Sequence, residues 1–243
     1  MLQTSTVKES TLELLKRLQA EPLLATTRLV GGTALSLQIG HRESEDLDLF
    51  SVEPLEGMLV QQMLVDKYGF LPTVVAENTL IGFIQGVKID VIYHPFPWLE
   101  PAIEEDGIRI ATKTDIAAMK VHAIINRRPS ECSGQACLDN AEREGGKAEL
   151  NSGKRPKDFV DVAFLSMHYS YNQIKALLLK RYPAYDPIMA DKAVIYFGDI
   201  DELLIPEIKM LGYEFDFERI KSRIIKMTDK PDKVYTTAPL KKS

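Results

Sequence analysis

The chain opens with apolar residues recurring at helical spacing between Glu9 and Gln19, which predicts an amphipathic helix. "TTRLVGG" then reads as a short strand ending in a turn, and "TALSLQIG" as a helix that starts near Thr33 and stops at Gly40. In "EDLDLFSV" charged and apolar side chains alternate, the period of a strand. "GMLVQQMLVDKYGF" returns to helical spacing, and "PTVVAENTLIGFIQGVKIDVIYHP" supplies two or three strands with turns at Asn78 and Gly86. Past Trp98 the pattern becomes helical. "TDIAAMKVHAIINR" offers Thr114 as an N-cap, "PKDFVDVAFLSMHYS" has Pro156 at a helix start, and further helices are expected near 172–181, 186–196 and 215–227.

Strands first and helices later define an α+β fold: a mixed sheet with flanking helices, followed by a C-terminal helical bundle. The boundary falls near residue 110, giving units of 1–110 and 111–243. No internal repeat interrupts this order. Residues 128–156 are rich in Gly, Glu, Lys and Ser and almost free of apolar side chains, which predicts a mobile insertion between two helices. Its Cys132 and Cys137 have no second pair of ligands nearby to complete a zinc site and read as reduced loop thiols.

With 45% hydrophobic and 27% charged residues in 243, the composition is globular and argues against disorder. No apolar run reaches membrane-spanning length and the first residues lack a signal-peptide core, so a cytoplasmic protein without membrane association is expected. The net charge of −5 is uneven. Residues 219–243 hold eight lysines and arginines against Asp229 and Asp232, a local +6 that suits either a polyanion or a solvated helix with a frayed end.

The chemistry concentrates in "LVGGTALSLQIGHRESEDLDLF". A strand that ends in Gly31–Gly32 and runs straight into a helix exposes backbone N–H groups and a positive helix end without a Cβ in the way. Such a turn suits phosphate, although steric need alone also selects paired glycines. Asp46 and Asp48 then project from one face of their strand, where they repel each other unless a cation lies between them. A third carboxylate, Asp90, sits in the otherwise apolar strand "VKIDVIY", where burial without a partner is costly. Together the three acids could hold two Mg²⁺ ions.

The glycine pair, the helix, the Asp-x-Asp strand and a third aspartate resemble the polymerase-beta type nucleotidyltransferase superfamily. More narrowly, "GGTALSLQIGHRESEDLDLF", "DIAAMKVHAIINR", "KRPKDFVDVAFL" and "KAVIYFGDIDE" resemble the AbiEii-type abortive-infection nucleotidyltransferase toxins, in order over about residues 29–205. The resemblance implies Gly32 and Thr33 in the nucleotide-binding turn, with Arg42 and Ser44 before the acidic pair. It also implies Asp46 and Asp48 as metal ligands, and Lys120 and Asp158 from the helical part. The long insertion before Asp158 departs from the family pattern.

Lys120 also stands out on its own residues. Ile116, Ala117, Ala123 and Ile124 surround it at helical spacing, so its ammonium either meets a nucleotide phosphate or a carboxylate such as Asp158 or Asp161, or snorkels to water. Asp158, in a first turn after Pro156, equally suits the helix dipole. Arg42 could contact phosphate and Ser44 could orient the Asp46 loop, or both could bond local backbone. His41, His94, His122 and His168 have no nucleophile motif beside them, which speaks against a hydrolytic triad, and "HPFPWLEP" reads as a packed crossover.

The function expected is transfer of a nucleoside monophosphate from an NTP to a hydroxyl, with two Mg²⁺ (or Mn²⁺) ions and release of pyrophosphate. The resemblance implies an RNA acceptor such as a tRNA 3′ end, a growth-arrest or phage-defence role, and a cognate antitoxin protein. The competing readings are transfer to a small molecule such as an aminoglycoside, and nucleotide binding without turnover.

Overall fold

The structure, a computed structural model, describes residues 1–126 and 155–243. The insertion expected at 128–156, with both cysteines, lies outside these apart from Arg155 and Pro156.

Seven strands form one mixed sheet in the order β3-β4-β5-β2-β1-β7-β6. They are β1 (Arg28–Leu29), β2 (Leu47–Ser51), β3 (Leu71–Ala76), β4 (Thr79–Ile84), β5 (Val87–Tyr93), β6 (Ile103–Glu105) and β7 (Ile108–Ile110). The expected strands are all present. The β6–β7 hairpin was not foreseen, because three-residue strands are too short to display a period. It pairs in parallel with β1 and extends the sheet by two strands.

At the centre β2 and β5 run parallel with Asp48 opposite Asp90 and Phe50 opposite Ile92. Leu47, Leu49, Ile89 and Val91 are buried on the core face. The alternate positions, half-buried Asp48, Phe50, Asp90 and Ile92, therefore share the other face.

Among the described residues the helices are α1 (Glu9–Gln19), α2 (Gly31–Ile39), α3 (Gly57–Tyr68), α4 (Lys113–Asn126), α5 (Pro156–Leu165), α6 (Tyr171–Arg181), α7 (Pro187–Ile195) and α8 (Phe217–Asp229). α2 begins at Gly31, two residues earlier than the sequence suggests, so both glycines lie in its first turn. α4 is capped at Thr112, whose hydroxyl accepts from the Asp115 N–H at 3.4 Å, rather than at Thr114, whose hydroxyl bonds Tyr169 Oη at 3.0 Å.

α4 is the hub of the helical part and packs on α2, α5, α6 and α7. α5 is buried along its whole length, so its two acids, Asp158 and Asp161, are carried into the interior with Phe159, Val162 and Phe164.

Two further expectations resolve into definite geometry. In the crossover "HPFPWLEP" the Trp98 ring lies between the guanidinium groups of Arg28 and Arg181, each 4.5 Å from its centre. Asp115, fully buried, accepts from the Leu99 N–H at 2.9 Å and pairs with Arg181, which locks the crossover to α4 and α6. The basic C-terminal stretch does not fray. Arg223 donates to Ser166 Oγ, Thr237 O and Ala238 O, and the Tyr235 N–H bonds Ser166 O at 2.9 Å.

Candidate active site

α2 starts with no side-chain cap, and its first turn faces the strand that carries the acids. Gly31 has φ +71°, and a Cβ there would collide with Asp48 Oδ2. A Cβ on Gly32 would collide with Arg42 Nη2. The glycine pair is thus needed for close approach by two charged side chains, whatever else it cradles.

Thr33, buried in the same turn, bonds Asp46 O at 2.5 Å and Ser44 Oγ at 2.8 Å. With one hydroxyl proton, Thr33 donates to the carbonyl and accepts from Ser44. The pair pins the backbone of Asp46, which sits exposed just before β2.

Behind this turn lies a buried ion network. Asp161 Oδ1 and Oδ2 receive Arg42 Nε and Nη2 at 2.8 and 2.9 Å, a two-pronged pairing. His41 Nε2 reaches Oδ1 at 2.7 Å, and Lys120 Nζ lies 2.6 Å from Asp161 Oδ2 and 2.7 Å from Asp158 Oδ1. Burial alone would raise the Asp161 carboxyl, but Arg42 and Lys120 outweigh it and hold its pKa well below the ordinary carboxylate value. Burial likewise works against the Lys120 ammonium, and Asp158 and Asp161 override it. His41 goes the other way: burial lowers its pKa, so it stays neutral and donates to Asp161 through Nε2–H.

Lys120 therefore does not snorkel. Arg42 spends Nε and Nη2 on Asp161 and Nη1 on Glu43 O at 3.0 Å, so in this structure it braces the turn. Asp161, which the sequence offers only as a partner for Lys120, turns out to hold the whole network, and the scattered His41 joins it. Their only sequence signal is a pair of acids three residues apart on an otherwise apolar helix.

Asp48 has the opposite environment. Burial first, then the charges of Asp90 and Asp46, push its pKa up to about 7, while Arg155 and Lys120 pull more weakly the other way. Asp48 lies where two clefts meet. One, of about 280 Å³, is polar and lined by Gly32, Ser44, Asp46, Lys157 and Lys209 among others. The second, of about 360 Å³, is lined by Asp90, Phe50, His94, His122 and Tyr182. Asp48, Lys120, Arg155 and Asp158 border both. Asp90 thus shares a face and a cleft with Asp48, whereas Asp46 borders only the polar side. No helix among the described residues is long and apolar enough to cross a membrane.

Residues 13–72 match the family described as nucleotidyl transferase AbiEii toxin, type IV toxin–antitoxin system. An uncharacterized protein of Aquifex aeolicus (strain VF5), aq_aa25, is 30% identical over 188 residues, covering 74% of this chain and 78% of its own. Among solved structures the chain resembles JHP933 from Helicobacter pylori, with 18% identity, 93% of each chain covered and a TM-score of 0.47. It also resembles the Megavirus polyadenylate synthase, with 18% identity, 73% of this chain and 32% of that one covered, and a TM-score of 0.35. The protein is a nucleotidyltransferase. Within that class its residues 13–72 carry the domain of the AbiEii toxin family.

Proposed function

We propose that this enzyme transfers a nucleoside monophosphate from an NTP to a hydroxyl of RNA, such as a tRNA 3′ end, with Mg²⁺ or Mn²⁺ as cofactor. The observation that carries the reading is the in-register pairing of Asp48 with Asp90 on the face of the sheet that meets the glycine turn, beside Asp46. All the donors are carboxylate oxygens, which suit a hard cation. Among the described residues no three acidic, histidine or cysteine side chains close into a ready-made cage. Mg²⁺ takes one or two carboxylates and completes its shell with water and substrate phosphates.

In this reading residues 1–110 carry the acids and residues 111–243 supply Lys120 and Asp158. Asp46, Asp48 and Asp90 would hold the metal ions, which when bound neutralise the triphosphate and activate the attacking hydroxyl. The α2 turn, Gly31 to Thr33, presents its backbone N–H groups to phosphate. Ser44 and Thr33 keep Asp46 in place, and Arg42 supports the turn from behind. Lys120, held in place by Asp158 and Asp161, borders both clefts where the transferred phosphate would lie. Lys157 and Arg155 line the polar cleft where the pyrophosphate would leave, whereas Lys209 there is paired with Glu43 at 3.6 Å.

A toxin role opposed by an antitoxin follows the family's description, and RNA as acceptor is the further step of this reading. The test is to incubate the protein with each α-labelled NTP, Mg²⁺ and total RNA, comparing wild type with Asp48→Ala. Label is expected in RNA with wild type only, and its yield should fall steeply with salt as counterions compete. Label that instead appears in an added aminoglycoside, with little salt dependence, would replace this acceptor with a small molecule.

A further inference from the structure

The second cleft contains a group of rings that no part of the transfer chemistry uses. Along the exposed face of the sheet the carboxylates give way to apolar and aromatic groups within one strand repeat: Asp48 to Phe50 on β2, and Asp90 to Ile92 and then His94 beyond β5. From the helical side His122 of α4 completes the wall, with the fully buried Tyr182 behind it.

The rings are mutually ordered. His122 stacks on Tyr182 with centroids 4.0 Å apart and planes 17° from parallel, and His94 meets Phe50 at 5.4 Å and Tyr182 edge-on at 5.7 Å. The Tyr182 hydroxyl accepts from Arg181 Nε at 3.3 Å and hydrogen-bonds His94 Nε2 at 3.0 Å. Burial, followed by the nearby charge of Arg181, holds both histidines at a pKa of about 4. Both are uncharged at neutral pH and present a π-face rather than a cation. Such a wall suits a planar base, whereas a saturated polycation would find no stacking partner and the positive Arg181 behind it.

Which base enters follows from the chemistry of displacement and rests on the transfer reading above. The attacking oxygen approaches the α-phosphorus from the side opposite the departing pyrophosphate. If pyrophosphate leaves into the polar cleft with Lys157, the hydroxyl arrives from the aromatic cleft, past Asp90. We propose that Phe50, His94 and His122, backed by the fully buried Tyr182, form a stacking platform for the nucleobase next to the acceptor hydroxyl.

The imidazole signals of the full-length protein, uniformly labelled with nitrogen-15, test this directly, because the chain has four histidines. His41, buried against Asp161, and His168 serve as references. The probes are α,β-methylene-ATP alone, the trinucleotide CpCpA added to that complex, and the same trinucleotide with an abasic 3′ ribose. CpCpA is expected to move the His94 and His122 signals by ring current, and the abasic analogue to leave them in place. Shifts with α,β-methylene-ATP alone would assign the platform to the donor base and overturn the acceptor assignment. No shift with any probe would overturn the platform even if RNA becomes labelled in the transfer assay. Shifts with CpCpA but no label in RNA would instead remove the transfer reading and leave the platform standing. As a second check, His122→Ala should raise the KM for an RNA acceptor about tenfold with the KM for NTP within about twofold, and His122→Phe should restore it. Equal damage from both variants would mean that packing, not stacking, is what His122 supplies, which would overturn the proposal.

Discussion

Two aspartates on either side of Lys120 show how differently one protein can treat the same side chain. Asp161 is sealed in the interior and accepts from Arg42, Lys120 and His41, so its charge is fully balanced by the chain itself. Asp48 is held among other carboxylates at the meeting of two clefts, and its pKa rises to about 7. The first arrangement has nothing left to bind. The second favours any arriving cation, since neutralising mutual repulsion there adds to whatever bonds form. A buried acid whose charge is met builds structure, and one whose charge is opposed builds a site.

The sharpest way to break this contrast is to remove each acid in turn. Asp161→Ala strands Arg42 and Lys120 without their shared partner and should cost about 3–5 kcal/mol of stability, read by urea unfolding. Asp48→Asn should do the reverse. Without divalent ions it should unfold at a higher temperature than wild type at pH 8, because repulsion with Asp90 and Asp46 is relieved, while its transfer rate falls about a thousandfold. A loss of stability in that variant would mean that Asp48, too, is a structural acid.

Gly32→Ala probes the seam between the two regions. Its Cβ would strike Arg42 Nη2, whose guanidinium is pinned to Asp161 and cannot swing away freely. A cost of about 1–3 kcal/mol is expected from chemical denaturation, with transfer reduced as well because the turn is displaced.

The smallest effect concerns pH. His94 and His122 fall from an ordinary value of 6.5 to about 4 on folding. Between these values the unfolded chain binds protons that the folded one refuses, so stability is complete above pH 6.5 and is lost as pH falls towards 4. Thermal unfolding of His122→Phe against wild type between pH 4 and 7 should show a shallower decline in the variant.

Much of the architecture is legible along the chain because it depends on local periods. The alternation in "EDLDLFSV" and "VKIDVIY" predicts which side chains share a face, and the structure places Asp48 beside Asp90 accordingly. The apolar surroundings of Lys120 announce a paired ammonium, and the pair forms with Asp158 and Asp161. The β6–β7 hairpin escapes because its strands are shorter than two periods. The role of Asp161 escapes for a different reason: nothing near it in sequence marks its partners, His41 and Arg42, which are more than a hundred residues away.

The amino-acid order alone therefore determined most of the elements and that Asp48 and Asp90 point away from the apolar face of their strands, both of which follow from hydrophobic patterns a few residues long. Only the tertiary structure decided that Arg42 braces the turn through Asp161, that Asp48 borders two clefts, and that rings from positions 50, 94, 122 and 182 converge beside Asp90. Those outcomes depend on the register of parallel strands and the docking of α4 and α5 on the sheet, where charges and rings distant in sequence come within a few ångströms and set one another's state.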